Sequence, residues 1–167
     1  VSDMLHPQLK EFEGQVPVVV PVGFDQDPHI RLARDIMQRI KFGKFVQLSS
    51  TYHKFIVGLN GGKMSSSDPT SYIALTDSPE IAAEKIRKHA FSGGRVSLEE
   101  HRRLGGNPDV DVSFLYLKTL FEPDEKKLKK IYEDYKSGAL LTGELKQVLI
   151  EKLVKFLKEH QRKREGA

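Results

Sequence analysis

Residues 16–22 read V-P-V-V-V-P-V, and the stretch G-F-D-Q-D-P follows directly at residues 23–28. The first stretch is short, β-branched and apolar on both faces, which is typical of a buried strand in a parallel sheet. Asp27 is a good helix N-cap, and Pro28 suits the first position of a helix. Apolar residues then recur at helical spacing as far as Ile40. Strand, turn and helix in this order predict half of a nucleotide-binding α/β unit.

Two more candidate strands and one polar loop follow. Short apolar runs at residues 45–48 and 73–75 predict the strands. Between them, residues 58–70 are too rich in Gly and Ser for the interior of an element, which predicts a flexible loop. On the polar face of the predicted helix, Arg31 and Asp35 stand one turn apart and are expected to pair.

Helical signals dominate from Ser78 onward, where S-P-E opens a first helix. A second helix is predicted over residues 112–121 and a third around residues 128–135, the latter closed by Gly138. The fourth is expected to begin with Thr142 as its cap. The predicted fold class is therefore α/β plus all-α, with a domain boundary near residue 77.

The composition excludes several classes of protein. The chain has 167 residues, of which 38% are hydrophobic and 30% charged, as is usual for a soluble globular protein. It has no cysteine, which excludes disulfides and thiolate metal sites. No run approaches the roughly 18 apolar residues of a membrane span, and no signal peptide is recognisable. A cytoplasmic location is therefore expected, without a membrane partner.

The net charge of +4 permits a polyanionic partner without requiring one. Most basic residues alternate with acidic residues on predicted helices, which is typical of solvent-exposed helix faces. The exception is a basic cluster near the C-terminal end of the chain, formed by Lys155, Lys158, His160, Arg162, Lys163 and Arg164.

The first candidate site consists of Gly23, Asp25 and Gln26. It lies where a predicted parallel strand ends and a helix begins, and ligands of open α/β sheets bind at this position. The N-terminus of the helix favours negative charge there. A carboxylate can accept two hydrogen bonds from vicinal ribose hydroxyls, and an amide can both donate and accept, which suits an amino-acid head group. The alternative is that Asp25 and Gln26 only satisfy the turn.

The second candidate site is the stretch G-G-K-M-S-S-S-D-P at residues 61–69. A Lys after two glycines, followed by three hydroxyls, can wrap a phosphate chain with one ammonium and several donors. The stretch is not a Walker A loop, which needs Gly at the position of Val57 and Ser or Thr at that of Met64. The alternative is a plain flexible surface loop.

Several motifs resemble those of a known family. Residues 63–67, K-M-S-S-S, resemble the KMSKS signature of class I aminoacyl-tRNA synthetases, with Ser66 in place of the second Lys. Residues 24–28, F-D-Q-D-P, resemble the IDQDP stretch of tryptophanyl-tRNA synthetases from archaea and eukaryotes. Further segments typical of this subgroup follow in the family's order and at close to its spacing, at residues 89–95, 99–102, 105–107, 109–114 and 141–145. The resemblance covers nearly the whole chain.

The resemblance implies the following domains and ligands. Residues 1–77 would form the C-terminal half of a Rossmann-fold catalytic domain, and residues 78–167 a helical anticodon-binding domain. ATP with Mg²⁺, tryptophan and tRNA(Trp) are the implied ligands, with no metal site built from the chain's own residues. The parent protein is expected to be a homodimer.

The resemblance also assigns roles to residues. Gly23 and Asp25 would bind ATP, Asp25 through the ribose, and Gln26 would contact the polar groups of tryptophan. The triphosphate would be held by a set of loop residues, and the backbone at Met64 would lie near the adenine. That set comprises Lys63, Ser65, Ser66 and Ser67. Arg95 would lie near the anticodon, the alternative being that the turn at residues 93–95 only joins two helices.

The family's ATP site also needs an HIGH-type motif, and neither His6-Pro7 nor His29-Ile30 fits that pattern. The chain is therefore expected to be a C-terminal fragment that does not activate tryptophan alone. Three alternatives remain, namely a tRNA-binding module without catalysis, a relative of the tyrosyl-tRNA synthetases and a structural fragment without activity. Tyrosyl-tRNA synthetases share the KMS-type loop but lack the segment at residues 89–95.

Overall fold

The computed structural model describes residues 1–41, 43–53 and 56–166. The chain divides into two compact units, Val1–Ile56 and Val57–Ala167. A membrane-spanning helix must be long and apolar, and none of the described helices meets both requirements.

The first unit is a small α/β arrangement. Its elements in chain order are α1 (Ser2–Leu5), a 3₁₀ turn (His6–Gln8), β1 (Val19–Gly23), a second 3₁₀ turn (Phe24–Gln26), α2 (Asp27–Arg39) and β2 (Ser49–His53). The strands β1 and β2 pair in parallel, with Val19 opposite Ser49 and Gly23 opposite His53. The predicted order of strand, turn and helix is thus confirmed, and α2 begins where β1 ends.

The core of this unit gathers apolar side chains from α1, β1, α2 and the segment before β2. Ile30 and Ala33 on α2 are fully buried, and Leu5 and Leu48 lie close to full burial. The segment before β2 is held by the buried amide of Gln8. Its Nε2 donates to the carbonyl of Val46 and its Oε1 accepts from the amide of Val46, at 2.9 and 2.7 Å. A side chain therefore completes backbone hydrogen bonds that a strand would otherwise make.

Two details of the predicted strands are wrong. The apolar run at residues 45–48 is not a strand, because Phe45 and Leu48 pack into the core from the segment that precedes β2. The more polar residues of β2 make the pairing instead. The strand predicted over residues 16–22 begins at Val19, which is 60% exposed. It is not buried on both faces, because Val19 and Pro21 are exposed while Val20 and Val22 are partly buried.

The second unit is helical from residue 79 onward, as predicted. Its elements are α3 (Pro79–His89), α4 (Leu98–Leu104), α5 (Val112–Tyr116), a π-helical turn (Leu117–Phe121), α6 (Glu125–Ser137) and α7 (Thr142–Glu165). Helix α7 supplies more buried side chains to the core than any other described element, and α3, α5 and the π-helical turn pack against it. Its buried face consists of Leu145, Leu149, Ile150, Leu153 and Leu157.

The helix ends mostly follow from local capping. The Ser78 hydroxyl accepts a hydrogen bond from the amide of Ile81 and opens α3. Helix α6 ends at Gly138, whose φ of +83° is the left-handed conformation that favours glycine. Thr142, predicted as the cap of α7, is its first residue instead. The carboxylate of Glu144 accepts from the amide of Leu141 at 2.7 Å, which leaves the Thr142 hydroxyl available for other partners.

Residues 57–77 pack with the helices that follow them. Leu59 is fully buried in the helical core, and the Tyr116 hydroxyl donates to the carbonyl of Val57 at 2.8 Å. Gln161 on α7 donates to the carbonyls of Leu75 and Asp77, both at 2.9 Å. The strand predicted over residues 73–75 is wrong, because these residues lead into a turn that the amide of Asp77 closes by donating to the carbonyl of Ala74 at 3.0 Å. The compact units divide at residues 56 and 57, whereas the domain boundary near residue 77 stays a prediction.

Candidate functional site

The turn after β1 carries Gly23, Asp25 and Gln26 within the first unit. The 3₁₀ turn joins β1 to α2, so both polar side chains stand at the carboxyl end of a parallel strand, as predicted. The Gln26 amide donates to the Asp25 carboxylate at 3.2 Å, and Asp25 is exposed. A Cβ added at Gly23 would lie 2.8 Å from Asp25 Oδ1. Glycine at this position therefore leaves room for the carboxylate to fold back over the strand end.

Asp27, predicted as the N-cap of α2, is its first residue instead, and its side chain makes a tight polar contact rather than a cap. The Tyr52 hydroxyl of β2 donates to Asp27 Oδ1 at 2.5 Å, and Arg31 Nε lies 2.6 Å from Oδ2. The hydrogen bond from Tyr52, followed by the charge of Arg31, holds the pKa of Asp27 below its usual value. The pairing predicted between Arg31 and Asp35 is wrong, because Arg31 reaches one turn back to Asp27 instead of forward.

The loop at residues 58–70 belongs to the second unit, and its base is fixed. The amide of Gly58 donates to the carbonyl of Gly62 at 2.7 Å, and the amide of Leu59 donates to the carbonyl of Ser71 at 2.8 Å. A Cβ at Gly58 would lie 2.8 Å from the Ser71 carbonyl oxygen, so the two backbone segments approach as closely as only glycine allows.

Ser71 is the residue that closes this loop, and the sequence analysis did not single it out. It is fully buried. Its hydroxyl accepts from the amide of Ser65 at 3.0 Å and lies within donor distance of the carbonyls of Asp68 and Ser65, at 2.7 and 3.1 Å. Ser71 directly follows the polar stretch S-D-P-T at residues 67–70. A serine in such a stretch gives little sign in the sequence that it is buried. Because of these contacts, the loop at residues 65–71 folds as a closed turn.

The tip of the loop presents its predicted ligands to solvent. Lys63, Ser66 and Ser67 are exposed, and Met64 is 41% exposed. The hydroxyls of Ser65 and Ser67 lie 2.8 Å apart, so the structure brings two of the three predicted hydroxyls together. An ammonium and several hydroxyls on one short turn can bind the oxygens of a phosphate chain.

Asp68 closes the far side of the turn. Its Oδ1 accepts from the hydroxyl and the amide of Thr70, at 2.6 and 3.0 Å. These two hydrogen bonds, the hydroxyl's first, hold the pKa of the Asp68 carboxyl below its usual value. The carboxylate stays ionised beside the hydroxyls, and it holds the turn in shape.

Within the second unit, the loop is joined by hydrogen bonds to the segment that carries Arg95. The amide of Phe91 donates to the carbonyl of Leu59 at 2.7 Å, and the amide of Val112 donates to the carbonyl of Phe91 at 3.1 Å. A Cβ at Gly61, whose φ is +80°, would lie 3.3 Å from the Phe91 ring. The backbone at Phe91 thus lies between the loop base and the start of α5.

Arg95 lies on the turn between α3 and α4, and it is exposed. Its Nε donates to the carbonyl of Gly105 at 3.0 Å. Its neighbour Val96 is completely exposed, and Leu98 is 63% exposed. The guanidinium borders an open pocket of about 440 Å³, which Val96, Ser97, Leu98, His101 and residues 141–144 also line. An arginine beside exposed apolar side chains can receive an unstacked base and its phosphate.

A buried polar cluster lies directly beneath this turn. Asp111 is fully buried and accepts four hydrogen bonds. Oδ1 accepts hydrogen bonds from the amides of Ser113 and Phe114, at 2.9 and 3.4 Å. Oδ2 accepts hydrogen bonds from the Tyr135 hydroxyl and the amide of Gly93, at 2.8 and 2.9 Å. The motif that contains Asp111 was noted in the sequence, but nothing in its spacing indicated that the carboxylate would be buried.

The described residues hold no group of three or more His, Cys, Asp or Glu side chains placed to bind a metal ion.

Comparisons with known proteins agree on one family. The family model described as tRNA synthetases class I (W and Y) matches residues 1–158. The tryptophan–tRNA ligase of Sulfurisphaera tokodaii is 57% identical over 151 residues, covering 89% of this chain and 39% of the relative. The tryptophan–tRNA ligase of Methanocaldococcus jannaschii is 51% identical over 170 aligned positions, covering 100% of this chain and 45% of the relative.

Among solved structures, the tryptophanyl-tRNA synthetase of the hyperthermophilic archaeon Aeropyrum pernix K1 superposes with a TM-score of 0.92 at 48% identity. The match covers 99% of this chain and 45% of that one. The chain thus spans less than half the length of the curated relatives it matches.

Proposed function

The chain belongs to the family of class I tRNA synthetases for tryptophan and tyrosine, and from this premise we propose that it is part of a tryptophan–tRNA ligase. The proposed activity is the ATP-dependent activation of tryptophan, followed by transfer of the tryptophanyl group to tRNA(Trp). Tryptophan is favoured over tyrosine because the relatives at 57% and 51% identity are both named as tryptophan–tRNA ligases.

One observation carries the proposal for ATP. The loop at residues 63–67 is held at its base by the buried Ser71, yet it exposes Lys63 and several hydroxyls at its tip. A loop that only linked two elements would not need a buried hydroxyl to fix its shape. A fixed base with an exposed cation is what a phosphate-binding loop requires, since donors placed in advance lose little freedom on binding.

The proposed chemistry has two steps and needs no covalent bond to the protein. In the first step the tryptophan carboxylate oxygen attacks the α-phosphorus of ATP, and the bond to the β-phosphate oxygen breaks, releasing pyrophosphate. In the second step a terminal hydroxyl of the tRNA attacks the carbonyl of tryptophanyl-adenylate, and AMP leaves. ATP enters as its Mg²⁺ complex, so the metal ion belongs to the substrate. The protein's part is to position the reactants and to stabilise charge.

The residues of the chain would divide this work as follows. Lys63, Ser65, Ser66 and Ser67 would hold the triphosphate, and the backbone at Met64 would lie beside the adenine. In the first unit, Asp25 would accept hydrogen bonds from the ribose hydroxyls at the turn after Gly23, and Gln26 would contact the polar groups of tryptophan. Because Ser66 stands where the commoner signature has a second Lys, the loop brings one ammonium to the phosphates instead of two.

The helical part, residues 78–167, would bind the anticodon, with Arg95 as a direct contact. The exposed guanidinium beside the open pocket supports this role. We further propose that the parent protein acts in the cytoplasm as a homodimer. The human relative is named as cytoplasmic, which supports the location.

The test is tryptophan-dependent exchange of pyrophosphate into ATP by the complete gene product, with tyrosine as the matched control substrate. We expect exchange with tryptophan, none with tyrosine, and charging of tRNA(Trp) by the same preparation. The 167-residue chain is expected to give no exchange, because it spans less than half the length of its relatives.

Exchange that depends on tyrosine would contradict the assigned substrate. Salt-dependent binding of tRNA without any exchange by the complete gene product would favour the alternative, a tRNA-binding module without catalysis.

A further inference from the structure

The buried carboxylate of Asp111 links two parts of the second unit that are separated in sequence. Through Oδ1 it caps α5, and through Oδ2 it holds the amide of Gly93, two residues before Arg95. With four donors on two oxygens, its hydrogen-bonding capacity is well used. A charged group that is fully buried must be satisfied in this way, since an unpaired buried carboxylate is strongly unfavourable.

The Tyr135 hydroxyl extends the cluster to the other side of the turn. It donates to Asp111 and lies 3.3 Å from the Ser92 hydroxyl and 3.1 Å from the Thr142 hydroxyl. The Ser92 hydroxyl in turn accepts from the amide of Gly94 at 3.0 Å. Burial raises the pKa of Tyr135 to about 12. At neutral pH the phenol therefore stays protonated and donates a hydrogen bond to Asp111. Two successive amides before Arg95 are therefore held by one connected set of buried side chains.

The backbone around the turn leaves little room for adjustment. A Cβ at Gly93 would lie 1.9 Å from the Asn107 carbonyl oxygen, and one at Gly94 would lie 2.2 Å from the Thr142 hydroxyl, both far inside van der Waals contact. The amide of Asn107 also donates to the carbonyl of Gly93 at 2.8 Å. The turn is thus fixed by its amides and by steric contact, while the Arg95 side chain itself remains exposed.

We propose that Asp111 is a positioning residue for tRNA recognition, acting through the Gly93 amide and with Tyr135 as its partner to hold the turn that carries Arg95. The proposal rests on the proposed function, since it assumes that Arg95 contacts tRNA. Asp111 itself is buried and does not touch the tRNA, so its effect must pass through the position of Arg95.

The decisive variant is Asp111→Asn in the complete gene product. Asparagine keeps one oxygen, which can still accept from the amides of Ser113 and Phe114 and cap α5. Its NH₂ group would then face the amide of Gly93, two donors without an acceptor between them. Leaving a buried donor unsatisfied costs roughly 1–3 kcal/mol. The turn should shift to relieve this cost, and binding tRNA would have to restore it, so the KM for tRNA should rise by roughly 5- to 150-fold. Tryptophan-dependent pyrophosphate exchange should change little.

A double-mutant cycle separates positioning from general stability. If Asp111 acts through Arg95, then Asp111→Asn should raise the KM for tRNA hardly further in a protein that already carries Arg95→Ala. If Asp111 affects tRNA binding by a route independent of Arg95, the two effects on KM should multiply, and that result would overturn the proposal. Tyr135→Phe, which removes one donor and keeps the ring, should raise the KM in the same direction by a smaller factor.

Ser113→Ala is the matched control. The Ser113 hydroxyl is buried beside Asp111 and has no hydrogen-bond partner among the described residues, so its removal should leave charging unchanged. If Asp111→Asn and Tyr135→Phe left the KM for tRNA at the wild-type value while Arg95→Ala raised it, the positioning role would be wrong and the proposed function would stand. If the wild-type protein showed no exchange with tryptophan, the proposed function itself would fail.

Discussion

At the scale of single residues, the proposed activation step depends most on the exposed ammonium of Lys63. Negative charge builds on the β- and γ-phosphates as pyrophosphate leaves, and an ammonium that closes on them binds the transition state better than it binds ATP. Loss of one preorganised donor of this kind costs about 2.7–4 kcal/mol, or roughly 10²–10³ in rate. We expect Lys63→Ala in the complete gene product to slow single-turnover adenylate formation by that factor.

Lys88→Ala is the control for this prediction, because it removes the same charge from an exposed position on α3 where Lys88 pairs with Glu84. It should not alter the rate. The dissociation constant for tryptophan should change little in Lys63→Ala, and Ser66→Lys, which restores the commoner loop, should be tolerated. A Lys63→Ala rate within about threefold of the wild type, far less than a lost donor costs, would mean that the loop is a plain surface linker.

Tyr135 gives a second prediction at this scale, on stability at high pH. Its folded-state pKa of about 12 lies above the ordinary value of 10.0 because the phenol is desolvated. The resulting stabilisation is complete below about pH 10 and is lost as pH rises toward about 12, since the unfolded chain releases the proton first. We expect the gap in unfolding free energy between wild type and Tyr135→Phe to narrow by about 2–3 kcal/mol over this interval. Urea denaturation at several pH values measures the gap, and a constant gap would contradict the assignment.

At the scale of elements, the join between α4 and α6 depends on glycine. Gly138 ends α6 with a φ of +83°, and a Cβ there would lie 2.3 Å from the carbonyl oxygen of His101. Gly138→Ala should therefore destabilise the protein by at least about 1–2 kcal/mol, the usual cost of a left-handed residue with a side chain. Gly143→Ala is the matched control, because no atom lies within 4 Å of its added Cβ at the start of α7. It should stabilise by about 0.4–1 kcal/mol, and melting temperatures that moved in the same direction for both would contradict the argument.

The helices were the easiest elements to predict, because their ends have local causes. Ser78 at the start of α3 and Gly138 at the end of α6 act through neighbouring backbone groups, so the sequence reveals them. Helix α4 was missed as an element, although Ser97 caps it by accepting from the amide of Glu100. In the sequence, α4 is marked only by a capping serine before a short charged run. The family motif at residues 99–102 falls within this run, so the run was assigned to the motif and not to a helix.

Strands and buried polar contacts were harder to predict, because their causes lie far away in sequence. The apolar run at residues 45–48 fills the core of the first unit, and the polar residues of β2 pair because β1 lies beside them. Ser71 and Asp111 became visible only once the fold brought their donors together. The loop ligands and Arg95 could be named from motifs, whereas the residues that support them could not. Their roles in catalysis and in tRNA binding remain predictions.

At the scale of the whole molecule, the two units differ in how much apolar surface they bury. The second unit has a large helical core, while the buried cluster of the first consists of Leu5, Ala33 and Leu48 with partly buried neighbours. Local opening is easiest where few apolar contacts resist it. In the 167-residue chain we expect the amides of β1 to exchange with solvent at least about tenfold faster than those of α7, a difference of about 1.4 kcal/mol.

Hydrogen–deuterium exchange followed by peptide mass spectrometry measures this difference directly. Peptides from residues 19–23 report on β1 and peptides from residues 145–157 on the buried face of α7. Equal protection of the two would mean that the chain unfolds as one cooperative block, contrary to the prediction.

Because one carboxylate serves both α5 and the turn before Arg95, we expect position 111 to tolerate little change in evolution. Selection for a better helix cap and selection for a better-placed turn act on the same side chain, so neither can be improved separately. A lineage that loses the carboxylate has to find new partners for donors in three segments at once, namely Gly93, the start of α5 and Tyr135. Random variation should therefore survive readily at Ser113 and scarcely at all at Asp111, although the two residues are equally buried.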